Sequence, residues 1–300
     1  MHTPMDTTLA NDLGRVGIWT NALRPGSPSG GAEIADAARE LDELGYGAIW
    51  LGGSPAVEDT FPLLKATSRL LVATGILSVW QHEPDEVAAR FAEANAAHDG
   101  RFVLGLGVSH APLTEGYRRP YTKMAAYLDA LDAAETPVPA GRRVLAALGP
   151  RMLRLAAEHA GGAHPYLVTV DHTAAARETL GEGAALAPEL KVVLDPDLTR
   201  ARATARAYLS GYLELENYLN SLRRLGFTDD DFRGGGSDRL VHAVFALGDA
   251  EAVVPRVNAY LEAGADHVAL QVVTENTGRD IPLPAYRTLA TALGLSGDHG

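Results

Sequence analysis

The 300-residue sequence contains no cysteine. That excludes disulfides, thiolate zinc sites, iron–sulfur clusters and a cysteine nucleophile. No apolar run reaches the roughly 20 residues that span a bilayer. The opening Met1–Gly14 also lacks a basic start followed by an apolar stretch, so a soluble, cytoplasmic protein is expected. Catalytic signatures are missing too: there is no H-E-x-x-H, no G-x-S-x-G and no Walker A motif. His159 and His164 straddle a predicted helix-to-strand break, and no metal site is expected. Positive charge is scarce, and the formal net charge of -12 argues against nucleic acid or anionic membrane as partners. A small anionic ligand stays open. Arg118, Arg119 and Lys123 would suit one, although Tyr117–Lys123 also reads as a solvated loop and helix start.

Apolar residues make up 46% of the chain, enough for one large barrel or two ordinary domains. The organising stretch is Arg101–Glu115. Phe102, Val103, Leu104 and Leu106 form a buried strand that empties into Val108, Ser109 and His110. A rigid strand feeding a polar loop is the usual geometry of an α/β active site. GLGVSH carries two glycines of the dinucleotide fingerprint but His110 in place of the third. With Pro112 opposing a helix start, a Rossmann reading fails.

Around this stretch, strands and helices alternate. Strands are expected at 15–20, 48–51, 71–79, 101–107, 143–148, 163–170, 191–194 and 267–273. Amphipathic helices are expected at 32–44, 58–69, 85–98, 122–134, 151–160, 250–263 and 283–293. A longer polar helical region, 199–225, and the loop-like TDDDFRGGGSD mark an insertion after strand seven; 241–246 reads equally as a helix end or a strand. The pattern predicts a single (β/α)₈ barrel over residues 15–295, with tails at 1–14 and 296–300. Its ligand site would lie at the C-terminal strand ends: Thr20, Gly52–Ser54, Ser78–Glu83, Val108–His110, Gly149 and Val170–His172.

The segments GRVGIWT, ELGYGAIWLGG, LLVATGILSVW, DGRFVLGLGVSHAP and EAGADHVALQVV resemble the bacterial luciferase-like superfamily of flavin- and deazaflavin-dependent oxidoreductases. WLGGSP and LGLGVSHAP are most similar to its probable coenzyme F420-dependent oxidoreductases. The resemblance implies a flavin or deazaflavin ring in the barrel mouth. It also implies a non-proline cis peptide at Ser78-Val79 backing that ring. Val108, Ser109 and His110 would lie beside the ring, and Leu148, Gly149 and Pro150 near a phosphate. A helix N-terminus after Gly149 suits phosphate on physical grounds as well. Thr169 and Tyr166 would add hydroxyl donors, and Trp19 would flank the ring. The Asp-His pair that F420-using relatives carry after strand two is replaced by Gly53 and Ser54, neither of which serves as a general base near neutral pH. A glutamate used by some after strand four is replaced by His110.

The expected chemistry is hydride transfer at the ring of coenzyme F420, with an unidentified small organic substrate. His82 and His110 are the candidates to carry a proton, because imidazole titrates near neutrality and both are predicted at the mouth. The alternatives are an FMN-dependent monooxygenase on the same fold and a flavin-binding protein without turnover. Substrate contacts would come from Ala111–Tyr121 and the segment after strand seven. A homodimer is expected from the resemblance alone.

Overall fold

The computed structural model describes residues 8–295. Its strands run β1 (Val16–Thr20), β2 (Ala48–Leu51), β3 (Leu71–Thr74), β4 (Leu77–Ser78), β5 (Phe102–Gly107), β6 (Arg143–Leu145), β7 (Gly162–Ala163), β8 (Ala185–Leu186), β9 (Glu189–Leu194), β10 (Phe245–Gly248) and β11 (Val268–Val272). All pairings are parallel. β8 and β9 are one run interrupted at Ala187-Pro188, as expected of a residue with no N–H for the ladder. The first piece pairs β7 and the second pairs β11, which returns to β1 and closes an eight-stranded TIM-type barrel. β10 is an extra parallel strand on β9, so the ambiguous 241–246 is both a helix end and a strand start.

Residue alternation explains the two faces. Ile18, Ile49, Leu51, Val72, Phe102, Leu104 and Leu106 join the core under the outer helices. Trp19, Ala48, Trp50, Ala73, Val103, Val144 and Ala269 fill the barrel, small side chains making room for the fully buried Trp50. The helices are α1 (Leu9–Leu13), α2 (Gly31–Glu43), α3 (Phe61–Ala66), α4 (Pro84–Ala97), α5 (Pro120–Ala133), α6 (Pro150–His159), α7 (Val170–Leu180), α8 (Leu198–Leu209), α9 (Glu216–Arg224), α10 (Asp238–Val244), α11 (Ala250–Glu262) and α12 (Leu283–Ala292). None of these is long and apolar enough to cross a membrane.

Three expectations are corrected. The segment expected as a tail, 1–14, includes α1, whose buried Leu9 and Leu13 belong to the barrel-interior cluster; 296–300 lie outside the described residues. The sixth strand is only Gly162–Ala163, because Pro165 interrupts it and α7 already starts at Val170. The helical region 199–225 is split into α8 and α9 by a 3₁₀ turn at Tyr212–Glu214.

The third strand also breaks, and the break shapes the site. From the pair Ala73↔Val103 to the pair Leu77↔Leu106, it takes one residue more than β5 does, which is a bulge. Thr74 Oγ1 bridges the gap, accepting from Gly105 N–H at 2.9 Å and donating to Gly105 O at 2.7 Å. A Cβ on Gly105 would lie 1.9 Å from the Thr74 carbonyl oxygen. Gly105→Ala is therefore expected to lower stability by about 2–3 kcal/mol in urea unfolding, as overpacking against unyielding backbone does. Unchanged stability would show that the bulge relaxes freely.

Candidate functional site

The C-terminal strand ends surround a cavity of about 940 Å³. Trp19 projects from β1, Gly53 and Ser54 follow β2, Gly75 and Ile76 come from the bulge, and Gly107–His110 leave β5. Leu148, Gly149 and Pro150 follow β6, and Tyr166 follows β7. Every one of these that the sequence singled out for a ligand is brought to one space. Segment 111–121 adds Leu113, Tyr117 and Tyr121, and the insertion adds Tyr208, Tyr212, Tyr218 and Arg224.

Of the expected residues, Ser78, Val79, His82 and Thr169 are not part of that lining, nor are Thr20, Gly52, Trp80, Glu83 and Val170–His172. The non-proline cis peptide lies at Gly75-Ile76, not Ser78-Val79. Ser78 and Val79 stay in register with Gly107, through a ladder pair and a Val79 N–H bond to its carbonyl, and both are buried behind the wall. The extra residue is absorbed earlier, where Gly75 O accepts the Trp19 indole N–H at 3.0 Å. His82 sits half-buried in the turn before α4, and its neighbour Gln81 lines the cavity instead, accepting from Ser54 Oγ at 3.1 Å. Thr169 caps α7, its side chain accepting the His172 N–H at 3.1 Å. It acts on the cavity only through His172, whose Nε2 donates to Leu148 O at 3.1 Å and fixes the turn ahead of Gly149.

Of the two proton candidates, then, the structure brings only His110 to the cavity. Ser109 is left-handed at φ 56, which turns the chain so that the His110 ring packs 4.8 Å from Tyr218. Asn217 Nδ2 lies 3.3 Å from its Nδ1. Burial lowers the His110 pKa, so the imidazole is mainly neutral at neutral pH.

Beneath the mouth lie polar groups that the sequence did not expose. The His164 ring stacks on Trp50 at 4.2 Å and 7°. Its Nδ1 donates to Ala187 O at 2.6 Å, leaving Nε2 buried without a partner among the described residues. Trp50 Nε1 donates to His267 Nε2 at 3.1 Å, and His267 Nδ1 donates to Gly14 O at 2.8 Å. Burial holds both imidazoles at a pKa of about 4, so both are neutral. On β9, Lys191 Nζ lies 2.7 Å from Glu189 Oε2, with both side chains fully buried, and 3.8 Å from the Tyr166 ring centroid. Desolvation pushes the carboxyl pKa up and the ammonium pKa down, while each group's attraction for the other works against its shift.

The family described as luciferase-like monooxygenase has a profile that matches residues 14–267. The chain belongs to that family. Solved structures of quite different activity superimpose on it. An F420-dependent secondary alcohol dehydrogenase in complex with an F420-acetone adduct gives a TM-score of 0.70 at 13% identity, covering 95% of this chain and 99% of that one. The oxygenating constituent of 3,6-diketocamphane monooxygenase from Pseudomonas putida, in complex with FMN, gives 0.61 at 15%, covering 92% and 96%. A curated relative, 4-hydroxyprotoasukamycin monooxygenase of Streptomyces nodosus subsp. asukaensis, is 29% identical over 108 residues. That match spans 32% of this chain and 29% of the relative's length. At these identities the structural likeness carries the fold; the first of these structures holds an F420 adduct and the second holds FMN.

A cofactor of that kind fits the residues present. The N-terminus of α6 leaves the N–H groups of Gly149 and Arg151 without backbone partners among the described residues, at the positive end of the helix. A Cβ on Gly149 would meet nothing closer than Arg224 at 3.8 Å, so the turn is open to a ligand. Arg151 and Arg224 line the cavity at the same place. Neither arginine was legible as a site residue: one opens an amphipathic helix, and the other lies 76 residues from the Leu148 carbonyl to which it donates.

Proposed function

We propose that the protein is an F420-dependent oxidoreductase that moves a hydride between the deazaflavin ring and a small organic substrate. The observation that carries this reading is a charge pattern. In a chain of net charge -12, Arg118, Arg119, Arg151 and Arg224 at or beside one opening form no ion pair among the described residues. F420 has a longer anionic tail than FMN, and such a rim suits it. Leu148, Gly149 and Arg151 would hold the phosphate, and the Gly75-Ile76 bulge would back the ring. When bound, the cofactor supplies the hydride chemistry. The chain's own part is to position both reactants, exclude water and handle one proton, for which neutral His110 is the group at hand.

A second reading, an FMN-dependent monooxygenase, is favoured by the residues after β2. Ser54 donates to the Gln81 side-chain amide oxygen Oε1, where a dehydrogenase of the F420-using type would keep an ionisable pair.

Titrating the purified apoprotein separately with F420 and FMN, by fluorescence and calorimetry, discriminates the two. Tighter F420 binding is expected. Arg151→Ala and Arg224→Ala should each weaken it about two- to fivefold, the worth of partly exposed charge contacts, with a shallower salt dependence. The reverse cofactor preference would move the protein to the monooxygenase branch. Binding of neither would remove the assignment.

A further inference from the structure

Three tyrosines of the cavity wall and, behind them, the buried amide of Gln271 close a ring, with Tyr166 and Tyr208 Oη 3.3 Å apart across it. Gln271 Nε2 donates to Tyr208 Oη at 2.5 Å, Tyr208 and Tyr212 Oη are 3.0 Å apart, Tyr212 and Tyr166 Oη are 2.9 Å apart, and Tyr166 Oη donates to Gln271 Oε1 at 2.8 Å. An amide oxygen only accepts, so the Tyr166 proton is committed to it. The amide N–H occupies one lone pair of Tyr208, and the other two protons run from Tyr208 to Tyr212 and from Tyr212 to Tyr166. All three hydroxyl protons are thus used inside the ring. Exchanging the amide oxygen and nitrogen reverses its direction and frees none of them. Each phenol oxygen keeps a lone pair.

Of the neighbouring groups, the Lys191 ammonium is held by Glu189 Oε2 at 2.7 Å, and His164 shares the acceptor bias. His164 has given its only proton to Ala187, so its Nε2 is an acceptor. Tyr218 is one exception, since its hydroxyl has no partner among the described residues and it lines the same cavity; His110, 4.8 Å from it with Asn217 Nδ2 facing its Nδ1, is another. A ligand hydroxyl placed here donates to the ring and accepts from Tyr218. A carbonyl or an ether only accepts, and a carboxylate meets lone pairs. The walls are flat and aromatic: Trp19 lies 5.1 Å from Tyr166, and Tyr212 lies 5.6 Å from Tyr218.

We propose that this end of the cavity is the organic-substrate subsite and that it selects a hydroxylated aromatic, bound through a hydroxyl that donates to the ring of Tyr166, Tyr208, Tyr212 and Gln271. The word substrate rests on the oxidoreductase reading above; the selection among ligands does not.

Calorimetric titration of the protein, without added cofactor, with 2-naphthol, 2-methoxynaphthalene and 2-naphthoate tests it. 2-Naphthol should bind about tenfold more tightly than its methyl ether, as a satisfied buried hydrogen bond requires. 2-Naphthoate should be weakest. Tyr208→Phe combined with Tyr212→Phe removes two of the three phenol acceptors, and the naphthol-to-ether ratio should then fall about threefold or more. Circular dichroism checks that this variant is folded, and if it is not, the wild-type series decides alone. Equal or reversed preference in the wild type, binding of none of the three, or an unchanged ratio in the folded double variant would overturn the proposal. Naphthol selection in a protein that binds neither F420 nor FMN would uphold the ligand class while removing the oxidoreductase reading.

Discussion

Lys191→Met is expected to lower the stability of the protein by about 3–5 kcal/mol at neutral pH, the usual consequence of removing one partner of a buried ion pair. Lys191 and Glu189 are two residues apart on β9, on the same face, and neither side chain reaches solvent. Without the ammonium, the carboxylate keeps only the Leu167 N–H, at 3.2 Å, and its Oε1 already lacks a partner. Burial would then hold a protonated Glu189 in the folded variant, its pKa above the unfolded value. A carboxyl raised in this way contributes stability below its unfolded pKa and loses it as pH rises through the folded one. The variant should therefore be more strongly destabilised, relative to wild type, at pH 8 than at pH 5. Glu189→Gln combined with Lys191→Met removes both charges and should recover most of the loss. Chemical unfolding of the three variants at the two pH values decides this. A Lys191→Met deficit below about 1 kcal/mol at pH 8 would mean that the pair is wetter than the structure has it.

That pair was invisible in the sequence, and the reason is instructive. Glu189-Leu190-Lys191 looks like ordinary alternation on a half-exposed strand, and only barrel closure turns its polar side inward. The same limit hid the hydroxyl ring: Tyr208 and Tyr212 belong to an insertion, and Tyr166 and Gln271 to the strand ends it folds back upon, up to 105 residues apart. What could be read were features carried by a few consecutive residues. Phe102–Gly107 is the buried strand its composition implied, and Val108, Ser109 and His110 line the cavity at its end. Gly149 before α6 was legible as a helix start, but Arg151 and Arg224 were not, because their meeting there depends on how α9 packs. The misplaced cis peptide has a similar cause. The run from Leu71 to Val79 looks continuous in apolar character, and its bulge shows only when it is set against β5. His82 misled because proximity in sequence to a strand end says nothing about which way the following turn carries the side chain.

Acid should loosen this protein from about pH 6.5 downward, through its buried histidines. His164 and His267 are buried and neutral, each lowered from 6.5 to about 4. For a base depressed by folding, nothing is lost while both states are neutral, above the unfolded pKa. As pH falls below about 6.5 the unfolded chain takes up protons that the folded one refuses, and the loss is complete only once pH has passed the folded pKa. At about 1.4 kcal/mol per unit, each imidazole accounts for about 3 kcal/mol across this window. His110 and His172 are shifted in the same direction, also by burial, and add to the slope. Asp42, held low by N–H donors from Ser68, Arg69 and Leu70 against the opposing effect of its own burial, begins to matter only below its unfolded value of 3.8. Urea midpoints measured at steps from pH 7 to 4.5 should therefore fall steadily, above the range in which Asp42 contributes. His267→Gln preserves a donor for Gly14 and an acceptor for Trp50 but does not titrate, so it should flatten the slope by roughly half of the two-histidine contribution. A flat profile in the wild type would show that water reaches these rings. Since His164 lines the cavity and Trp50 stacks on it, ligand affinity should decline over the same pH range, ahead of global unfolding.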